Sequence, residues 1–99
     1  MSYDPGALGA ALAAAVGDDP VLVEELRGAF VASARTHVRA LAQAANRAQW
    51  CAAAWRLHGL AASFGAVALM EIAEGAAAGT TGDAAALDRI GRALEAFAG

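Results

Sequence analysis

The chain has 99 residues, a formal net charge of −3 and 59% hydrophobic residues, a length that allows one domain around one core and excludes two. Residues 1–99 are therefore read as a single unit. All seven basic residues are arginine; they form no cluster of the kind a nucleic-acid surface needs, and without lysine there is no Schiff-base chemistry. The single cysteine, Cys51, excludes an internal disulfide and fits a reducing cytoplasm. No run is long and apolar enough to span a bilayer.

About a third of the residues are alanine, the strongest helix former, which predicts an all-helical protein with closely spaced helices. Valine and isoleucine never alternate with polar residues over a strand length, and no Asn-Gly or Asp-Gly turn joins two such runs. Ser2-Tyr3-Asp4-Pro5 precedes only a short alanine-rich run without a basic leader. That start argues against a signal peptide and for a cytoplasmic protein.

Helix boundaries follow in chain order. Asp4-Pro5 places a capping residue before a proline at the first helical position, and Gly17 offers a left-handed stop, which predicts a short lead helix over 5–16. Asp19-Pro20 repeats the signal and opens a longer helix. Its Leu22, Leu26, Phe30, Val38, Leu41 and Ala45 recur at spacings of four or combinations of three and four. Asn46, with Gln49 three residues on, forms a capping box for the next helix, which ends near Gly65. A further helix starts near Ala66, with Leu69, Ile72, Ala73 and Ala76 inward and Met70, Glu71 and Glu74 toward solvent. Gly79-Thr80-Thr81-Gly82 is a turn, and Asp83 caps a last helix with the stripe Leu87, Ile90, Leu94 and Phe97. Four amphipathic helices on short turns predict an all-α, up-down-up-down four-helix bundle, with the short N-terminal helix packed across one end.

The helix after Asn46 is the most informative. At roughly 100° per residue, Trp50, Ala53, Ala54, Leu57, Ala61 and Phe64 fall within one arc of about 100°, a stripe that faces a core. Trp55 lies about 150° from the centre of that stripe, with Gly59 about one turn on and Ala62 about two. The largest apolar side chain is thus expected in water, among residues too small to cover it. Exposed apolar patches of this kind mark docking surfaces.

The segment Trp55-Arg56-Leu57-His58-Gly59, followed by Ala61-Ala62-Ser63-Phe64-Gly65-Ala66, resembles the signature of histidine phosphotransfer (HPt) domains, H-x-L-K-G with small residues and Gly-Ala after it. Leu57, Gly59 and Gly65-Ala66 agree with that pattern. Trp55 stands at the phospho-acceptor histidine and His58 at the following lysine. The resemblance extends to the short lead helix, the Asp18-Asp19-Pro20 break and a long helix bearing Phe30. It implies a two-component signalling module whose partner is the receiver domain of a response regulator or hybrid histidine kinase.

An HPt histidine attacks a receiver aspartyl phosphate and later returns the phosphoryl group. The only nitrogen of Trp55 is a hydrogen-bond donor and cannot attack, and the lysine charge that would steady the phosphate is absent. The resemblance therefore implies a degenerate member that binds a receiver or kinase without carrying phosphate, through Trp55, Arg56, His58, Gly59 and Ala62. The alternative is an active phosphotransfer protein with His58 as acceptor. On a helical projection the tips of Trp55 and His58 lie on the order of 9 Å apart, too far for a receiver docked in the usual pose, since misplacement by about 1 Å can cost roughly a hundredfold in rate. His58 can equally be a half-exposed helix residue bonded to water or a carboxylate. Trp55 can fold over the bundle or meet a second copy in a homodimeric scaffold.

Other chemistries find no support. Glu71 and Glu74 lack the histidine spacing of a di-iron bundle, and two histidines with one cysteine are too few for a zinc site. No phosphate-binding loop or nucleophile elbow is present. No metal or cofactor is expected, His37 reads as a boundary residue on the long helix, and Cys51 has no assigned role.

Overall fold

The computed structural model describes residues 19–98, and the lead helix expected over 5–16 lies outside them. The described residues form four helices: α1 (Pro20–Ala42), α2 (Arg47–Ser63), α3 (Val67–Ala78) and α4 (Ala84–Ala98). Each packs on its chain neighbour, and α1 also meets α4, which closes the set around one core. None of these helices is long and apolar enough to cross a membrane.

Sequence-local chemistry fixes the ends. Asp19 Oδ1 accepts from the Val21 and Leu22 amides at 3.0 and 3.3 Å, with Pro20 in the first turn where no N–H is needed. At the start of α2, Asn46 Oδ1 accepts from the Gln49 amide at 2.9 Å, while Gln49 Oε1 accepts from the Ala45 amide at 2.8 Å. This is the expected capping box with its return bond shifted one residue toward the N-terminus. α2 ends on Gly65, whose φ of 69° lets the Ala66 amide reach the Ala61 carbonyl at 2.9 Å and the Gly65 amide reach Ala62 at 3.2 Å. That pair of bonds is a Schellman motif, and it explains why glycine follows the helix. Asp83 Oδ1 accepts from the Ala85 amide at 3.0 Å at the head of α4.

The stripe on α2 is buried as expected, except that Phe64 is half-buried at the helix end. On α1 the expectation needs correction. Leu22 is 43% exposed and Ala45 lies beyond the helix in solvent, while Val31 and Ala34 are buried with Phe30 and Leu41. α1 has 23 residues against 17, 12 and 15 in the others, so among the described residues its first turns have little to pack against. Ten of the nineteen buried apolar residues are alanines, so a few large side chains fill most of the interior. Phe30, near the middle of α1, meets the ends of α2 and α4, with ring centroids 5.1 Å from Phe64 and 5.8 Å, edge-on, from Phe97.

Trp50, fully buried, donates from Nε1 to the Ala76 carbonyl at 2.7 Å. Arg47 donates to the carbonyls of Ala77, at 2.6 Å, and Gly79. The first turn of α2 thereby caps the last carbonyls of α3, of which that of Ala76 also accepts from the Gly79 amide at 3.2 Å, and it sets a cation against the negative end of that helix. Periodicity places Trp50 in the core without indicating this partner.

Candidate functional site

Trp55 is half-exposed near the middle of α2, and Arg56, Gly59 and Ala62 are exposed around it. The indole is neither sunk into the bundle nor outside a helix. Ala52 and Ala48, about one and two turns before, are exposed too. At about 100° per residue Ala48, Ala52, Trp55, Gly59 and Ala62 share an arc of about 80°. Arg56 lies about 40° beyond one edge of that arc and His58 about 40° beyond the other. The solvent face of α2 is therefore a strip of small residues with one indole at its centre.

His58 corrects the sequence-based distance. Its ring centroid lies 4.9 Å from that of Trp55, edge-on at 73°, where radial projection gives a tip separation on the order of 9 Å. Side chains three residues apart on a helix are neighbours and can lean together; projection treats them as spokes. His58 is half-buried, and its ring covers one flank of the indole. The other flank is open over Gly59. A Cβ at Gly59 would meet nothing within 4 Å, as at Gly28, Gly75 and Gly91, so internal packing does not require glycine there.

Beside this face a groove of about 480 Å³ runs between α1 and α2. Ala40 and Gln43 form one wall, and Ala48, Gln49, Ala52, Ala53 and Arg56 form the other. Arg56 thus belongs to the groove and to the edge of the Trp55 face. A smaller furrow of about 270 Å³ between α1 and α4 holds Arg35, Arg39 and Glu95. His37 is half-buried, in keeping with a boundary position, and Cys51 Sγ lies 3.6 Å from the Ala77 carbonyl. Among the described residues no three of His, Cys, Asp and Glu converge on a metal-sized site.

The net charge conceals a segregation that counting over the whole chain missed. From Leu26 to Met70 there is no carboxylate, and that stretch holds Arg27, Arg35, Arg39, Arg47 and Arg56. These five arginines do not share one face. Arg27 pairs with Glu24 at 3.6 Å, Arg47 is engaged at the end of α3, and Arg35 and Arg39 line the α1–α4 furrow. On α2 itself no acidic side chain opposes Arg56.

No family model, no curated protein and no solved structure matches this chain.

Proposed function

We propose that this chain is an HPt-type bundle, running up-down-up-down with a short lead helix, that serves two-component signalling in the cytoplasm as a degenerate member. It binds the receiver domain of a response regulator or hybrid histidine kinase through the Trp55 face and carries no phosphate. Bound in this way it sequesters the receiver or competes with an active phosphotransfer protein. The observation that supports this reading is the half-exposed Trp55 on a helical strip of small residues, at the position where the resembling signature has its phospho-acceptor. A large aromatic ringed by small, solvent-facing residues is the usual anatomy of an interface anchor.

A second reading has gained support from the geometry. With its ring 4.9 Å from the indole, His58 lies closer to the acceptor position than projection gives, and a receiver shifted by that distance would meet it. In that case an imidazole nitrogen of His58 attacks the phosphorus of a receiver aspartyl phosphate. The attacking nitrogen is the unprotonated one: a P–N bond forms, the P–O bond to aspartate breaks, the carboxylate departs, and the proton on the other ring nitrogen is released to solvent.

One experiment separates the two. The chain is incubated with a panel of phosphorylated receiver domains while binding is titrated in parallel. The preferred reading predicts saturable binding that Trp55→Ala weakens, with no label on the chain. An acid-labile label that disappears in His58→Ala establishes the second reading instead. Self-association lost in Trp55→Ala, without receiver binding, identifies a homodimeric scaffold and overturns both. The double substitution W55H/H58K is expected to create phosphotransfer competence if the docking surface is intact.

A further inference from the structure

We infer that the α1–α2 groove and the adjoining Trp55 face together seat one amphipathic helix of a partner protein, with carboxylates along the rim that meets Arg56. This rests on the reading that the Trp55 face docks a protein, and it adds the chemistry of the docked element. From Ala48 to Ala62 the small-residue strip is about 21 Å long, the length of a helix of about 14 residues. Side chains no larger than methyl along most of that strip let a second helix approach at the short end of the 8–10 Å interaxial range. Trp55 interrupts the strip once, as a single large anchor beside small neighbours, and the groove offers about 480 Å³ along its Arg56 edge.

Charge selects the partner. In a chain of net charge −3, the groove walls and all of α2 carry Arg56 and no carboxylate. An acidic rim on the visiting helix gains attraction from Arg56 and meets no like charge on α2, whereas a basic rim is repelled. The two exposed glutamines in the groove, Gln43 and Gln49, add polar edges without changing the sign.

The test uses three designed peptides of about 16 residues, blocked at both ends. They share a Leu/Ala face and carry Glu, Gln or Lys on the flanking positions. Binding to the full chain is followed by calorimetry and by the emission shift of Trp55. The Glu peptide is expected to bind at least tenfold more tightly than the Gln peptide at low salt and more tightly still than the Lys peptide. The Glu/Gln difference should shrink below threefold in 1 M salt, where the screening length is about 3 Å. Arg56→Glu and Ala52→Glu, both at exposed helix positions, should abolish the preference while leaving the thermal melt unchanged.

Equal affinity for the Glu and Gln peptides, no binding of either, or binding that survives both substitutions overturns the inference. So does a concentration-dependent dimer that Arg56→Glu dissolves, since a second copy would then be the occupant. A receiver domain that binds Arg56→Glu as well as the unaltered chain sinks this inference and leaves the receiver reading standing. Binding of the Glu peptide by a chain that ignores every receiver domain does the reverse.

Discussion

Trp50 and Trp55 lie five residues apart on one helix and meet opposite environments. Trp50 is fully buried and its indole N–H holds the Ala76 carbonyl, whereas Trp55 is half-exposed with His58 leaning on its ring. Five residues turn the helix by about 140°, so the same side chain serves the interior at one position and the surface at the other. The difference teaches that residue type does not set the role of an aromatic here; helical phase and the size of its neighbours do. Trp50 sits over alanines that let the helices close around it, and Trp55 beside residues that leave it open.

The sharpest way to break this contrast is Trp50→Ala. It removes the largest buried side chain and the shorter of the two bonds to the Ala76 carbonyl, which keeps the Gly79 amide at 3.2 Å, and we predict a loss of about 3–5 kcal/mol in urea unfolding. Trp55→Ala should change the same midpoint by less than about 0.5 kcal/mol, yet weaken receiver affinity by about 2 kcal/mol, roughly thirtyfold, in a titration. If the two substitutions cost equal stability, the division between a structural and a docking tryptophan fails. Arg47→Ala, which frees the carbonyls of Ala77 and Gly79, is expected to lower stability by about 1 kcal/mol. Hydrogen exchange should locate that loss at the end of α3. The smallest effect is Gly59→Ala. Its Cβ meets open space, so the helix should gain about 0.5–1 kcal/mol by thermal unfolding, and a loss of receiver affinity alongside that gain would mark close approach at this position.

Much of this architecture is legible in the sequence because its punctuation is local. Asp19-Pro20, Asn46 and Asp83 each act within four residues and cap as predicted, Gln49 returns its bond one residue early to Ala45, and Gly65 ends α2 where expected. The stripe on α2 is equally legible, since Trp50 and Leu57 contrast with their neighbours. α1 is less so. Alanine contributes little contrast to a periodic pattern, so periodicity does not single out the buried Ala34 and it aligns the exposed Leu22 and Ala45 with the core stripe; only tertiary contact decides which alanines are covered. The bonds from Arg47 and Trp50 to α3 link residues 26–32 positions apart, beyond any local rule. At the candidate site, the exposure of Trp55 follows from phase alone. The closeness of His58 depends on rotamers that a projection ignores, and the groove depends on how two helices lie against each other. The carboxylate-free stretch was present in the sequence throughout and needed only a count by segment instead of by chain.

The alanine-filled interior leaves evolution few moves. A buried methyl has almost nothing to lose, and enlarging it forces neighbouring helices apart at a cost of about 1–3 kcal/mol. Substitutions at Ala53, Ala54 or Ala73, all within 3% of full burial, are therefore constrained in both directions. Heritable variation in such a scaffold is channelled outward, onto residues such as Trp55 and Arg56, where a new side chain alters what the molecule recognises and leaves its shape alone.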